Sequence, residues 1–210
     1  MRNTSLIILL IFSLTVICLA QPQIQGPQSG TLGPGTYIVV GDIRVAAGET
    51  LTIEPGTIFL HNGHHTWTIM GTLYAEGSEG DSIKFTRQNP VEEHKWGGIR
   101  FQPGAFDDCI LDYCIVEYCK NPLSPYYTYG GCIFVDQVDM TISNSRISHG
   151  EAYWNGGGIY AQNANILVDH CIVNDNTAIS GANGGGIFLY DCTEASIIYS
   201  VICCNSATGT

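Results

Sequence analysis

Gly130-Gly131-Cys132-Ile133-Phe134, Gly156-Gly157-Gly158-Ile159-Tyr160 and Gly184-Gly185-Gly186-Ile187-Phe188 are three copies of one pattern, with isoleucines that step by 26 and then 28 residues. A poorer copy, Trp96-Gly97-Gly98-Ile99, precedes them. A second pattern interleaves with the first: Ile147 to Ala152, Val173 to Ala178 and Ile202 to Ala207, each a β-branched residue followed three residues later by Gly or Asn and five later by Ala. Val116 to Cys119 is a degenerate copy, and the β-branched residues step by 31, 26 and 29. Two motifs with one shared, slightly variable period mean a repeated structural unit. No helical period persists. Upstream, Val39-Val40, Ile43–Val45, Leu51–Ile53, Ile58–Leu60, Trp67–Ile69, Leu73–Ala75 and Ile83–Phe85 are short β-type runs broken by Gly, Asn and Pro. A unit of this length with about three short strands predicts one coil of a parallel β-solenoid, each coil stacked about 4.8 Å above the last. The glycine run sits where Cβ atoms of neighbouring coils would collide. Asn176 and Asn205 fall in one column, where amides bond along the stack. A β-sandwich has no need of two motifs locked in register.

Composition agrees. Glycine accounts for 25 of 210 residues, charged residues are only 13%, and apolar residues reach 45%, which excludes a disordered chain. With 8 Lys+Arg against 19 Asp+Glu the formal charge is −11, a poor match for nucleic acid or an anionic membrane surface. Arg2 followed by the apolar run Leu6 to Leu19 reads as a signal peptide, residues 1–20, cut after Cys18-Leu19-Ala20. No other stretch predicts a membrane-spanning helix. Residues 21–35, QPQIQGPQSGTLGPG, read as a linker or lead-in, and 36–210 as one all-β domain.

The Gly-Gly-x-Ile copies, with Asn176-Thr177-Ala178 and Asn205-Ser206-Ala207, resemble the right-handed parallel β-helix repeats of secreted bacterial proteins. They also resemble the repeats of chlamydial polymorphic outer-membrane adhesins, which carry Phe where this chain has Val173 and Ile202. Gly41-Asp42-Ile43, Leu51 to Thr57, Gly71-Thr72-Leu73, Ile83 to Thr86 and Trp96 to Ile99 are similar to the opening coils of large bacterial surface β-helix proteins. The resemblance implies a right-handed helix and an exported, secreted or cell-surface location. After Thr210 the repeat calls for another Gly-Gly-x-Ile run, so further C-terminal coils or an anchor are expected.

Eight cysteines follow Cys18. Aligned by coil, no column holds Cys in consecutive coils. Most therefore read as small core fillers, with Cys203-Cys204 one in and one out.

Asp107, Asp108 and His149, beside Arg146, are similar to elements of polygalacturonase-type β-helix hydrolases, whose chemistry needs carboxyl groups placed around a sugar bond. The flanking Asn-Thr-Asp and Arg-Ile-Lys elements are missing, and His149 occupies a repeat position filled elsewhere by Asp175. A lyase would need an acidic column for Ca²⁺ beside a basic residue, which the spacing does not supply. His61, His64 and His65 read as a solvated loop. No metal or cofactor is expected. The aromatic residues Trp96, Tyr126, Tyr127, Tyr129, Tyr153 and Trp154 lie beside or within the loops between motifs, so stacking predicts an aromatic ridge. Such a ridge suits a glycan or a surface protein. The expected function is structural or adhesive and non-catalytic; the alternative is a polysaccharide lyase or hydrolase with its site mostly outside these residues.

Overall fold

The computed structural model describes residues 20–121, 129–180 and 183–208. The signal-peptide run and the loop tyrosines Tyr126 and Tyr127 fall outside them. Among the described residues there is no α-helix, and the paired strands all run parallel. No helix there is long and apolar enough to cross a membrane.

The chain visits three faces in turn. The first holds Trp67–Ile69, Ile99–Phe101, Ile133–Asp136, Ile159–Gln162 and Ile187–Tyr190. The second holds Gly30–Leu32, Thr50–Ile53, Thr72–Glu76, Cys109–Asp112, Met140–Ser143, Ile166–Asp169 and Ser196–Ile198. The third holds Thr57–His61, Ile83–Arg87, Cys114–Glu117, Arg146–Ser148, Ile172–Asn174 and Val201–Cys203. The long strand Gly35–Val45 starts the first and third faces and joins them. A narrow fourth strip is made of Lys120–Asn121, Glu151–Ala152, Thr177–Ala178 and Ser206–Ala207, and its first three strands precede the glycine runs at Gly130, Gly156 and Gly184. Parallel sheets visited in this order are consistent with a parallel β-helix.

Register follows the motifs. Ile133 pairs with Ile159 and Ile159 with Ile187. Ile147 pairs with Val173 and Val173 with Ile202. Alternate positions along each strand point inward, so these columns form the core. Their side chains are fully buried until the last described coil, where Ile202 is 46% exposed. The amide ladder is present: Asn176 Nδ2 donates to Asn205 Oδ1 at 3.0 Å and to Ile147 O at 3.0 Å, while Asn176 Oδ1 accepts from Gly150 N at 2.8 Å. A Cβ on Gly157 would lie 2.3 Å from Gly185 O, so only glycine lets the coils close here.

Corners are turned by single left-handed residues stacked in columns. Tyr113, Asn144, His170 and Tyr199 have φ of 46–51°, and Tyr118, His149, Asp175 and Cys204 have φ of 55–59°. Asn, Asp and His enter this conformation readily, whereas Tyr113, Tyr118 and Tyr199 hold it because the pairing on either side imposes it.

Three expectations need revision. The lead-in 21–35 is paired: Gln23–Pro27 and Gly30–Leu32 are strands on the first coil. Backbone bonds suffice for this, and only Ile24 and Leu32 pack against the core. His61 is not in a solvated loop. It is fully buried, stacked 4.0 Å from Trp96, accepting from Trp67 Nε1 at 3.0 Å and bonded through Nδ1 to Thr86 O at 2.9 Å. Cys203 and Cys204 are both exposed, because no described coil covers them. The eight described cysteines are free thiols, and Cys109, Cys114, Cys119, Cys132 and Cys171 fill the core as expected.

Candidate functional site

The exposed aromatic surface starts from a buried arginine. Arg100 points outward on the first face but is only 2% exposed. Its Nε donates to Gly97 O at 2.9 Å, Nη1 donates to Tyr129 O at 2.9 Å and to Gly130 O, and Nη2 reaches Gly131 O at 3.2 Å. Asn121 Nδ2 donates to the same Tyr129 carbonyl at 2.9 Å. Two side chains thus fix the backbone of Tyr129, whose ring remains 37% exposed.

Tyr129 stacks on Tyr160, with ring centroids 4.7 Å apart. Tyr160 is the middle rung of an aromatic ladder, Phe134–Tyr160–Phe188, with centroid spacings of 5.6 and 5.7 Å. The ladder follows from register: each ring comes one residue after an inward isoleucine, so it points outward. Sandwiched rings cover one another's faces, and burial pushes the Tyr160 phenol up to about 12. The next outward column is Asp136, Gln162 and Tyr190. Tyr160 OH donates to Gln162 Oε1 at 2.9 Å, and Tyr190 is 54% exposed. Asn155 completes the rim, its Oδ1 accepting from Asn183 N at 2.6 Å. Tyr129, Asn155, Tyr160, Gln162, Phe188 and Tyr190 enclose a shallow groove of about 380 Å³. Trp154, beside Asn155 in the chain, is 39% exposed and meets Tyr153 edge-on at 5.6 Å.

Of the residues expected in a ridge, Tyr129, Tyr153 and Trp154 thus lie on or next to this corner. Tyr127 falls outside the described residues. Trp96 does not belong: it is fully buried, stacked on His61, and donates to Glu117 O at 2.9 Å. The glycine run is one residue shorter at Trp96, the left-handed turn moves to Gly98 (φ 76°), and the indole drops into the core. Tyr160, Phe188, Tyr190, Asn155 and Gln162 were missed, although strand alternation after each isoleucine signals the outward rings.

The catalytic candidates are separated. Asp107 starts a ladder in which Asp107, Asp139 and Asn165 side-chain oxygens each accept the backbone N–H of Asp139, Asn165 and Glu194 in turn, at 3.0, 2.7 and 2.9 Å. Asp108 accepts from Tyr74 OH. Both line a groove of about 550 Å³ on the second face, floored by Ile110, Thr141 and Leu167. His149 instead lines a groove of about 340 Å³ at the third-face corner, with its ring 4.6 Å from Tyr118. Glu151, beside it, is engaged by Lys95 at 3.2 Å and Lys120 at 3.0 Å. Among the described residues no cluster of three or more His, Cys, Asp or Glu side chains could hold a metal ion.

No family model, curated protein or solved structure matches this chain.

Proposed function

We propose that the chain is an exported, right-handed parallel β-helix that acts as a structural or adhesive surface module and binds a glycan at its aromatic corner. The observation that carries the reading is the gathering of exposed Tyr129 and Tyr190 around the amides of Asn155 and Gln162 in one groove, with exposed Trp154 next to Asn155 in the chain. Aromatic rings supply contact area for the C–H faces of sugars at low entropic cost, and amides supply donors and acceptors for hydroxyl groups. Among the described residues no carboxyl pair lines this groove, whereas glycoside hydrolysis needs one. The acidic chain repels anionic polymers, so neutral glycans are the favoured class. Right-handedness rests on the strong bias of parallel crossover connections. Export rests on the Leu6 to Ala20 segment, and a bacterial surface or extracellular location on the resemblance of the repeats.

Binding to a panel of neutral polysaccharides, with Trp154→Ala, Tyr190→Ala and Asp108→Ala variants, tests it. The expected result is a roughly tenfold or greater loss for the aromatic variants, about 1.4 kcal/mol per decade, with Asp108→Ala unchanged. Equal binding by all variants would refute the site, and no binding to any glycan would refute the ligand class.

A further inference from the structure

The turn between the strands Thr57–His61 and Trp67–Ile69 carries Asn62-Gly63-His64-His65. The chain has two other Asn-Gly pairs, Asn155-Gly156 and Asn183-Gly184. An Asn-Gly pair can rearrange through attack of the glycine nitrogen on the asparagine side-chain carbon, because a residue without Cβ leaves that nitrogen open to approach. The folded chain decides which pair reacts, through what it bonds to the nitrogen and to the side-chain oxygen.

At Asn62 the oxygen is engaged by a proton donor and the nitrogen is open. Asn62 is exposed, and among the described residues nothing accepts from Gly63 N. His65 Nε2 donates to Asn62 Oδ1 at 3.0 Å, which places an imidazole N–H on the oxygen where negative charge develops during attack. Glycine at 63 gives the ring its room, since a Cβ there would lie 3.1 Å from His65 Nε2. Three backbone N–H groups hold the turn: Asn62 N donates to Val39 O at 3.2 Å, His65 N to Gly63 O at 2.9 Å and Thr66 N to Asp42 Oδ1 at 2.9 Å. Burial lowers His65 below the ordinary imidazole range, against the opposing pull of Asp42, so the ring is neutral at pH 7. Asn155-Gly156 differs at both atoms. Gly156 N donates to Gly184 O at 3.0 Å, and Asn155 Oδ1 accepts from Asn183 N at 2.6 Å, so both are committed to the stack. Asn183-Gly184 is followed by Gly185 and Gly186 and has no histidine beside it in the chain.

We propose that Asn62-Gly63 is a self-modification site, at which the folded chain converts Asn62 to aspartate and isoaspartate with His65 as the catalytic residue and water as the co-reactant. Hydroxide takes the proton of Gly63 N, and the nitrogen attacks Asn62 Cγ, forming an N–Cγ bond. His65 Nε2–H holds the oxyanion on Oδ1. The Cγ–Nδ2 bond breaks, and the nitrogen takes a proton from water and leaves as ammonia. A succinimide ring remains. Water adds to one of its two carbonyls and opens it, to aspartate through Cγ or to isoaspartate through the main-chain carbon. One amide nitrogen leaves, one water oxygen enters, and nothing is oxidised or reduced. The product adds a negative charge to a turn that already holds Asp42, His64 and His65.

The test is to incubate the full chain at neutral pH, label isoaspartate with an isoaspartyl methyltransferase, and map the labelled peptides over time. The expected label falls first on the peptide containing Asn62, with Asn155 unlabelled while the chain is folded. His65→Ala should slow the reaction at Asn62 roughly tenfold or more. The same comparison in concentrated urea separates a catalytic from a sequence effect: there the natural chain and His65→Ala should modify Asn62 at one rate, and Asn155 should react as well. Asn62→Gln should remove the early label, because its longer side chain would have to close a larger ring. Modification of Asn155 or Asn183 ahead of Asn62 in the folded chain would overturn the site. An unchanged rate at Asn62 in folded His65→Ala would overturn the role of His65.

Discussion

Acid should weaken this fold through one side chain. His61 is fully enclosed, with Nε2 accepting from Trp67 Nε1–H at 3.0 Å and Nδ1 donating to Thr86 O at 2.9 Å. These two bonds assign a neutral ring protonated at Nδ1. A second proton at Nε2 would set a donor against the Trp67 donor, inside a core of Phe59, Phe85 and Trp96. Burial is the main cause of the resulting shift, which lowers His61 from 6.5 to about 3. The unfolded chain binds a proton near pH 6.5 and the folded chain does not, so stability is retained above that pH and lost as pH falls below it. Between pH 7.5 and 4.5 the loss from this group is about 3 kcal/mol, at roughly 1.4 kcal/mol per pH unit below the unfolded value. Urea unfolding followed by fluorescence at several pH values, for the natural chain and for His61→Gln, isolates it. Glutamine can still accept from Trp67 and donate to Thr86 but does not titrate. Burial also lowers His64 and His65, and both remain in the variant, so their contributions largely cancel in the comparison. The variant should start less stable at pH 7.5 and lose about 3 kcal/mol less on acidification. Parallel loss in the two proteins would refute the assignment of a neutral, doubly bonded His61.

Asn176→Ala removes the side chain that satisfies Gly150 N and Ile147 O in a fully buried position, and should cost about 2–4 kcal/mol in denaturant unfolding; Asn205→Ala, in the more open last coil, should cost less. Arg100→Lys cannot reproduce a planar fork on the carbonyls of Gly97, Tyr129, Gly130 and Gly131. It should weaken glycan binding several-fold by releasing Tyr129, although Arg100 itself does not line the groove; unchanged affinity in a titration would show that Tyr129 is held in place by other contacts.

The parts of this fold that were legible are those where stacking forbids alternatives. A Cβ on Gly157 meets backbone in the next coil, and Asn176 bonds two backbone groups and an amide above, so these residues recur and set the period. Corners were illegible for the opposite reason. Tyr113, Asn144, His170 and Tyr199 turn the chain with one shared conformation, which asparagine and histidine adopt readily but tyrosine does not, because pairing on either side imposes the turn. His61 was misread because a polar residue beside Asn62-Gly63 suggests a loop, whereas alternation from Phe59 through Leu60 places it inward. The site was half legible. Loop aromatics were visible, but the ladder of Phe134, Tyr160 and Phe188 is written into strands whose neighbouring isoleucines drew the reading toward the core.

That distinction bears on where function can reside. Most side chains in this stack answer to a neighbour about 4.8 Å away, and a ladder partner explains each of them without a ligand. Asp107, Asp139 and Asn165 hold the next coil's backbone, Glu151 balances two lysines, and His149 occupies a corner column. Trp154 and Tyr190 have no aromatic ladder partner among the described residues: each is more than a third exposed, and Tyr190 stands above Gln162 in its column. A large apolar ring held at a solvent edge gains little stability for the scaffold, since most of its area remains in water. A ligand that covers those rings would recover that area, which is why the two exposed aromatics, and not the acidic or imidazole side chains, are the residues on which the binding experiment should turn.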